Sequence, residues 1–301
     1  MLNFDSIIIG SGVAGMTAAI YLKRANLNIL LIEKNIPGGQ INRSSRIENY
    51  PGFKEIDGPT LAMNVYEQVN NLNIQYQYDE VKEIIKQEDL FLVKTKSQEY
   101  LTKTIILATG RSAKELGIDK EKQLVGRGIS FCALCDGFFY KEKEVAIVGG
   151  GNSALEEALY LSDICKKVTI ILRSKKFRAS EMFQDKIKEK TNIEVLYNTQ
   201  IASLEEENDR LSGIILDNGD RLNVGGLFIY IGSNPDSEVA KNLNVTTDNG
   251  YIIVDEKMKT NVNGVFACGD VIKKDVYQLA TSIGEGATAS NSVISYLSGI
   301  K

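Results

Sequence analysis

The sequence of 301 residues contains no histidine and no tryptophan, and only four cysteines and four prolines. The absence of histidine excludes Ser-His-Asp and Cys-His catalysis, histidine metal sites and the usual proton carrier at neutral pH. Acid–base chemistry must therefore fall to carboxylates, cysteine, tyrosine or lysine. Four cysteines are too few for a disulfide-stapled secreted scaffold, so we expect a cytoplasmic protein. The scarcity of proline and of low-complexity sequence argues against long disordered linkers.

Charge and hydrophobicity exclude two further classes of partner. The formal net charge is −4, with lysine and arginine spread along the chain, so no basic face for nucleic acid is expected. The N-terminal apolar run breaks at Gly10, after too few residues to span a bilayer, and it lacks a signal-peptide pattern. We therefore expect neither export nor membrane anchoring. The length favours two domains, and the 43% hydrophobic content is sufficient for buried parallel sheets.

A first dinucleotide-binding fingerprint lies near the N-terminus. An apolar run before Gly10 predicts a strand, and an alanine- and leucine-rich run over Met16–Asn26 predicts a helix. Between them, Gly10, Gly12 and Gly15 match G-x-G-x-x-G, whose glycines allow a tight turn, close approach of a pyrophosphate, and helix–strand packing. Glu33 ends the next predicted strand, where an acid hydrogen-bonds a ribose hydroxyl. We expect an adenine dinucleotide here, and a tight turn without a ligand is the alternative.

The segment Gly264–Asp270, near the other end of the chain, supplies a second part of the same predicted site. A buried strand that ends in Gly269 and Asp270 places a carboxylate where it can accept a hydrogen bond from a ribityl hydroxyl. Taken alone, Gly-Asp is a turn in most sequences. Together with the N-terminal position of the first fingerprint, this segment favours FAD over NAD. Two distant segments that build one site predict that a second nucleotide domain is inserted into the first.

A second fingerprint of the form G-x-G-x-x-A consists of Gly149, Gly151 and Ala154, again between an apolar strand and a helix. The next predicted strand ends in Arg173 instead of an acid, and Arg178 follows it. Arginine near the ribose can pair with a 2′-phosphate, so NADPH is favoured as the second nucleotide. The alternative is a solvated basic stretch, since clusters of lysine and arginine mostly lie at the surface.

A Cys132-Ala-Leu-Cys135 pair followed by Asp136 lies between the two fingerprints. Two thiols at this spacing can close a small ring, which predicts a redox-active pair. The pair is predicted to open a helix whose amides favour a thiolate, while Asp136 donates or accepts the exchanged proton. A zinc site is the alternative, but it needs two further soft ligands in order. The other cysteines, Cys165 and Cys268, lie in helical and strand patterns and are predicted to pack in the core.

With these motifs identified, the chain resembles the low-molecular-weight, bacterial-type thioredoxin reductases over essentially its whole length. The resemblance implies an α/β fold of two Rossmann-like, three-layer domains, the second inserted into the first. It implies an FAD-binding domain of residues 1–114 and 245–301, and an NAD(P)-binding domain of residues 115–244 that carries the dithiol. It further implies a homodimer and hinges near 113–116 and 242–248. The segments that carry the resemblance are Gly10–Gly15, Gly38–Gln40, Glu48–Gly52, Ala108–Gly110, Cys132–Asp136, Gly149–Ala154 and Phe266–Asp270.

The resemblance also implies a reaction and a set of site residues. Electrons from NADPH pass through FAD to the Cys132–Cys135 disulfide, and then to the disulfide of thioredoxin or a thioredoxin-like protein. In this scheme Cys135 faces the flavin, Cys132 attacks the protein substrate, and Asp136 is the acid–base residue. The residues implied for FAD are Gly10, Ser11, Gly12, Ala14, Gly15, Glu33, Lys34, Gly39, Gln40, Asn49, Ala108, Thr109, Gly110, Gly269, Asp270, Gln278 and Leu279. Those implied for NADPH are Gly149, Gly151, Asn152, Ser153, Ala154, Arg173 and Arg178, and no metal site is expected.

The chain departs from the family pattern in two places. Leu172 and Ser174 stand where the family usually has a histidine and a second arginine, which removes one phosphate-pairing group. Tyr277 stands where an arginine is expected before Gln278, in a position where its ring could stack over the flavin. These departures leave two alternatives open. One is a flavin reductase that takes electrons from ferredoxin with little use of NADPH, and the other is a flavoprotein redox sensor without turnover.

Overall fold

The computed structural model describes residues 2–44 and 47–299. Its helices are α1 (Val13–Arg24), α2 (Gly58–Asn71), α3 (Glu121–Leu124), α4 (Ala133–Asp136), α5 (Asn152–Ser162), α6 (Glu181–Glu189) and α7 (Leu279–Leu297). Its strands are β1 (Leu2–Ile9), β2 (Ile29–Glu33), β3 (Gln75–Tyr78), β4 (Val81–Gln87), β5 (Leu90–Thr95), β6 (Glu99–Leu107), β7 (Arg111–Ala113), β8 (Ile129–Ser130), β9 (Glu144–Val148), β10 (Lys167–Ile171), β11 (Ile193–Leu196), β12 (Ile201–Glu207), β13 (Arg210–Leu216), β14 (Arg221–Leu222), β15 (Gly226–Ile229), β16 (Ser233–Pro235), β17 (Thr247–Asp248), β18 (Tyr251–Ile252) and β19 (Val265–Ala267). Short 3-10 turns lie at Gly39–Arg43, Gly137–Tyr140, Glu238–Leu243 and Gly269–Val271.

The chain divides into two units, and the second lies within the sequence of the first. The first unit is Met1–Asn42, Ile56–Ser112 and Asn234–Lys301, and the second is Arg43–Glu55 and Ala113–Ser233. The terminal residues of the expected FAD-binding domain, 1 and 300–301, lie outside the described residues, as do 45 and 46.

The second passage between the units differs from the expected boundary at residue 244. Residues 234–244 group with the first unit, because Ala240 and Leu243 are buried in a cluster with Phe4 and Phe91 of that unit. A side-chain amide of the same segment, from Asn242, donates to Glu83 Oε1 at 2.8 Å. In this division the chain passes between the units at 233–234, and the hinge expected at 242–248 stays a prediction.

The first unit is built on a sheet with strand order β3-β2-β1-β6-β5-β4, in which β19 also pairs with β6. The pairs among β1, β2, β3, β6 and β19 are parallel, and β4 and β5 continue the sheet as antiparallel strands. Alternate residues of β1 face opposite sides, with Ile7 and Ile9 in one buried cluster and Ile8 in another. The second cluster includes Met16 of α1 and Val293 of α7, so these two helices cover one face of the sheet.

The second unit repeats this plan with a smaller sheet. Its strands β11-β10-β9-β15-β8 are parallel throughout. Helices α5 and α6 cover one face, where Ile147 packs with Leu155 and Ile187, and the antiparallel sheet β12-β13-β14 covers the other, where Ala146 packs with Ile214. The sheet of the first unit is mainly parallel, the main sheet of the second is wholly parallel, and helices cover a face of each, which confirms the predicted α/β fold. Among the described helices, none is long and apolar enough to cross a membrane.

Candidate functional site

The first glycine turn joins β1 to α1, and the helix begins at Val13, earlier than the pattern predicted. Two of its glycines are required by packing. Gly10 has a φ of +102°, and a Cβ built on Gly15 would lie 1.9 Å from the Gly10 carbonyl oxygen. Gly12 differs, because a Cβ built there meets no atom within 4 Å. Gly12 is also the N-cap of α1 and provides no side-chain cap, so the open space beside it fits a pyrophosphate held by helix amides.

Glu33 lies where the fingerprint predicts the ribose-binding acid, at the end of the buried strand β2. Its Oε2 accepts hydrogen bonds from the Ser11 amide at 2.6 Å and the Ser11 hydroxyl at 3.1 Å, and its Oε1 accepts from the Asn35 amide at 2.8 Å. The Tyr76 hydroxyl lies 3.2 Å from the Ser11 hydroxyl, and burial raises the pKa of Tyr76 to about 12. Sequence reasoning missed Tyr76, although its strand β3 pairs with β2 in parallel register.

Further predicted cofactor residues surround this turn. A Cβ built on Gly39 would lie 3.5 Å from Gly12 Cα, and the Gln40 side-chain amide donates to the Arg111 carbonyl oxygen at 2.9 Å. These contacts bring the loop after β2 to the glycine turn. Lys34 lines an open cavity of about 430 Å³ together with Asn35, Tyr78, Asp79, Glu80 and Lys96.

The segment after β6 lies beside Gly10, since a Cβ built on that glycine would approach the Ala108 carbonyl oxygen to 2.3 Å. The Thr109 hydroxyl in this segment is buried and has no hydrogen-bond partner within the described chain. Because an unpaired buried hydroxyl is costly, Thr109 fits a hydrogen bond to a bound molecule. The following Gly110 has a φ of +74°. Asn49 lies in the segment 43–55, which groups with the second unit.

The C-terminal segment packs directly on the start of α1. A Cβ built on Gly269, whose φ is +77°, would lie 2.9 Å from Ala14 Cβ. The Gly269 amide donates to Glu285 Oε2 of α7 at 2.9 Å. The structure thus brings the two ends of the chain together at one turn, as the sequence predicted for Gly269 and Asp270.

An ion-pair network that sequence reasoning missed surrounds Asp270. Lys274 Nζ lies 3.3 Å from Asp270 Oδ1 and 2.8 Å from Glu285 Oε2, and Arg111 Nε lies 3.5 Å from Asp270 Oδ2. The Lys274 and Glu285 side chains are only 10% and 13% exposed. Burial raises the pKa of Glu285, and the hydrogen bond from Lys274 opposes that shift. The spacing of four residues between Asp270 and Lys274 was the only signal of this network in the sequence.

The residues before α7 are also fixed within the first unit. Gln278 is the N-cap of α7 and forms a capping box with Thr281, so the predicted Leu279 is the first residue of that helix. The Tyr277 ring lies under the Arg111 guanidinium, with 3.8 Å from Arg111 Cζ to the ring centroid, and 5.9 Å from the Tyr251 ring. Tyr277 therefore stacks on an arginine, and its stacking on the flavin remains a prediction.

The dithiol lies in the second unit, where Cys132 and Cys135 form a disulfide with 5.3 Å between their Cα atoms. Cys132 is the N-cap of the short helix α4, which confirms that the pair opens a helix. The Cys135 amide donates to Cys132 Sγ at 3.2 Å, and the Cys132 amide donates to the Ser130 hydroxyl oxygen at 3.1 Å. The other cysteines, Cys165 and Cys268, are free and buried, as predicted.

Asp136 follows the disulfide directly. Its Oδ2 accepts a hydrogen bond from the Ser130 hydroxyl at 2.5 Å, and its Oδ1 is buried without a partner among the described residues. Burial raises the pKa of Asp136, and the bond from Ser130 opposes this. A carboxyl group of this kind can hold a proton next to the sulfurs. Within residues 2–44 and 47–299, no group of three or more cysteine, aspartate or glutamate side chains is placed to hold a metal ion.

The second glycine turn joins β9 to α5 and resembles the first in its packing. Gly149 has a φ of +149°, and a Cβ there would lie 2.4 Å from the Tyr230 carbonyl oxygen. A Cβ built on Gly151 meets nothing within 4 Å, so the space beside this glycine is open as well. Asn152 Oδ1 accepts from the Ser180 amide at 2.8 Å. The predicted Ser153 is exposed and Ala154 is buried.

The two predicted phosphate-binding arginines lie on the loop after β10. The Arg178 amide donates to the Gly150 carbonyl oxygen at 2.7 Å, which holds this loop against the glycine turn. The side chains of Arg173 and Arg178 are exposed, and neither forms an ion pair within the described part of the chain. Leu172, which replaces the expected histidine, is 3% exposed and packs against the turn, because a Cβ on Gly150 would lie 2.2 Å from it.

Comparisons with known proteins agree with this geometry. The family model described as pyridine nucleotide-disulphide oxidoreductase matches residues 4–286. A thioredoxin reductase of Bacillus subtilis is 41% identical over 299 residues, which are 98% of this chain and 95% of the relative. A thioredoxin reductase of Listeria monocytogenes is 39% identical over 99% of this chain and 95% of its own length. The crystal structure of thioredoxin reductase from Streptococcus pyogenes superposes with a TM-score of 0.95 at 39% identity, and covers 99% of both chains.

Proposed function

We propose that this chain, which belongs to the pyridine nucleotide-disulphide oxidoreductase family, is a thioredoxin reductase that uses FAD and NADPH. The observation that carries the proposal is the Cys132–Cys135 disulfide beside the partly buried carboxyl group of Asp136. The same unit carries the second glycine turn. When bound, NADPH supplies a hydride and FAD passes the electron pair on to a disulfide.

The first unit supplies the groups that FAD requires. The space beside Gly12 at the start of α1 is open and suits the pyrophosphate, and Glu33 lies at the position of the ribose-binding acid. The unpaired Thr109 hydroxyl offers a further hydrogen bond, and Asp270 is held by Lys274 beside the same turn. We propose that these residues bind FAD together with the other positions assigned from the sequence.

The second unit supplies the groups that NADPH requires. The open space beside Gly151 suits its pyrophosphate, and Arg173 and Arg178 offer exposed cations for the 2′-phosphate. The hydrogen bond from the Arg178 amide to the Gly150 carbonyl oxygen fixes this basic loop at the glycine turn. This position favours a role in nucleotide binding over a role as a solvated surface segment.

The thiol chemistry follows from the order of the residues. In the reduced protein the Cys132 thiolate attacks one sulfur of the partner's disulfide, and that bond breaks as a mixed disulfide forms. Cys135 then attacks Cys132 Sγ, which restores the Cys132–Cys135 disulfide and releases the partner as a dithiol. Asp136 supplies a proton to the departing sulfur, because burial keeps its carboxyl group protonated to higher pH than usual.

The surface beside the disulfide suits a protein substrate. Leu134, between the cysteines, is 49% exposed, and Phe138, two residues after Asp136, is 58% exposed. Exposed large apolar side chains next to a reactive group provide a contact area for a folded partner. We therefore propose thioredoxin or a thioredoxin-like protein as the acceptor. We also propose that the enzyme is a homodimer and that it acts in the cytoplasm. Sedimentation velocity would test the first point, and cell fractionation would test the second.

The test uses the purified, FAD-loaded protein under anaerobic conditions. NADPH is expected to bleach the flavin absorbance at once, and added oxidised thioredoxin is expected to be reduced with loss of NADPH absorbance. C165S is the matched control, since Cys165 is buried and lies outside the disulfide, and it should retain activity. The complete second glycine turn favours a nucleotide as the electron donor over ferredoxin. Bleaching by reduced ferredoxin but not by NADPH would nevertheless overturn the proposed donor, and no reduction of any thioredoxin would overturn the proposed acceptor.

A further inference from the structure

A second carboxylate, Glu157 of α5, contacts the backbone of the dithiol turn. The Tyr230 hydroxyl and the Leu134 amide both stabilise its carboxylate. The Ala133 amide, next to Cys132, donates to the same Tyr230 oxygen at 2.7 Å. Tyr230 therefore holds one of the two consecutive amides that separate the cysteines, and Glu157 acts on the other. Neither residue was singled out by the sequence motifs.

The surroundings of Glu157 disfavour its ionised form. Its Oε2 is buried and has no partner among the described residues. Burial, together with the neighbouring charge of Glu156, raises the pKa of Glu157 to about 7, while the hydrogen bonds from Tyr230 and Leu134 oppose that shift. Among the described residues, no cation acts on it.

The titratable groups near this carboxylate are few. On its own helix they are Glu156 and Tyr160, and from the end of β15 there is Tyr230. Helix α4 packs on α5 and contributes Asp136, whose carboxyl group bonds to Ser130 and not to Glu157. Glu157 and Asp136 are thus two separate proton-holding groups at one disulfide.

We propose that Glu157 is a positioning residue whose protonation state controls how readily the sulfurs of the reduced Cys132/Cys135 pair ionise, with Tyr230 linking it to the turn. The inference rests on the proposed function of this pair as the redox centre. Reduction breaks the S–S bond with two electrons, and each sulfur that becomes a thiol takes up one proton. An ionised Glu157 opposes a thiolate on the neighbouring turn by charge repulsion, and a protonated Glu157 removes that opposition.

The experiment measures thiol ionisation directly and needs no NADPH or thioredoxin. FAD-loaded protein is reduced with dithiothreitol, freed of reductant anaerobically, and alkylated with iodoacetamide between pH 5.5 and 9. Mass spectrometry then gives the rates at Cys132 and Cys135. In the wild type, we expect two inflections, one near pH 7 from Glu157 and one from the thiol itself.

E157Q should remove the inflection near pH 7 and raise the alkylation rate at pH 7.5 by about threefold, which is half a pH unit in thiol ionisation. E156Q is the matched control, because Glu156 is the exposed neighbour on the same helix; it should keep both inflections, with the first at lower pH because the charge of Glu156 raises the pKa of Glu157. If E157Q does not fold, Y230F carries the test and should move the first inflection to higher pH, because the Tyr230 hydroxyl lowers the pKa of Glu157. The Tyr230→Phe change leaves the Leu134 amide and the Glu157 carboxyl group themselves unaltered.

Three outcomes overturn the inference: a wild-type profile with a single inflection, an E157Q profile that matches E156Q, or an E157Q rate that changes by one constant factor at every pH. The last result would indicate only a disturbed turn. Since the assay uses no nucleotide and no protein substrate, a failure of the proposed function would appear separately, in the turnover measurements, and would leave these profiles interpretable.

Discussion

Replacing Gly12 with alanine should separate cofactor binding from folding. Gly12 has ordinary backbone angles, with φ −66° and ψ 176°, and a Cβ built on it meets no protein atom within 4 Å. The apoprotein should therefore keep its stability within about 1 kcal/mol, since an alanine at this conformation restricts the unfolded chain while a glycine is the better N-cap. The added methyl group would occupy the space where we propose that the FAD pyrophosphate approaches the helix amides.

The expected loss in FAD affinity follows from the bonds displaced. A hydrogen bond to a charged group contributes about 1.5–3 kcal/mol, so displacing one phosphate–amide bond weakens binding about 10- to 150-fold. Flavin fluorescence titration of apoprotein measures the affinity, and urea denaturation measures the free energy of unfolding.

Two matched variants sharpen this test. In Gly15→Ala the new Cβ would lie 1.9 Å from the Gly10 carbonyl oxygen, so the apoprotein itself should lose about 1–3 kcal/mol or more of stability. In Gly151→Ala the Cβ again meets nothing, so NADPH affinity should fall while FAD affinity stays unchanged. Wild-type FAD affinity in G12A, or unfolding of apo G12A, would refute the reasoning that this space belongs to the cofactor.

Three further predictions concern the thiols, the phosphate and pH. C135S should abolish thioredoxin reduction but leave flavin bleaching by NADPH intact, because hydride transfer precedes the thiol step; loss of both in stopped-flow would contradict that order. Arg178→Ala should raise the KM for NADPH by about 10- to 150-fold if one charge-assisted bond is lost, and should leave the KM for NADH unchanged; equal effects would remove Arg178 from the phosphate site. The raised pKa of Glu157 favours its protonated form in the folded state, so its contribution to stability is complete below pH about 4.5 and is lost as pH rises through about 7. In E157Q the free energy of unfolding, measured by urea denaturation from pH 5 to 8, should lack this loss. The same dependence on pH in E157Q as in the wild type would exclude Glu157 as its source.

The parts of the fold and site that were predictable are those set by local sequence. The glycine spacing predicted both nucleotide turns. At Gly10 and Gly149 the backbone has a positive φ and lies so close to another backbone segment that a side chain would not fit. The pattern Cys-x-x-Cys predicted the disulfide and its place at the start of a helix.

The parts that were missed depend on contacts between distant segments. Tyr230 reaches the Ala133 amide across 97 positions of sequence, and the pattern around it reads only as the end of a buried strand. The passage between the units at 233–234 could not be read from composition either, since the burial of Ala240 and Leu243 against Phe4 appears only once the sheet has formed. The stacking of Tyr277 on Arg111 likewise joins residues whose pairing no local motif signals.

The burial of Cys165 and Cys268 has a consequence for how the protein meets oxidants. Burial raises the pKa of their thiols to about 11 and about 12, so at neutral pH neither presents a nucleophilic sulfur. Among its cysteines, the folded enzyme therefore presents reactive sulfur to peroxide or an electrophile only at Cys132 and Cys135, where a sulfenic acid on either residue is resolved by the other as a reversible disulfide. A disulfide formed in this way is reduced again by the same reaction that drives turnover.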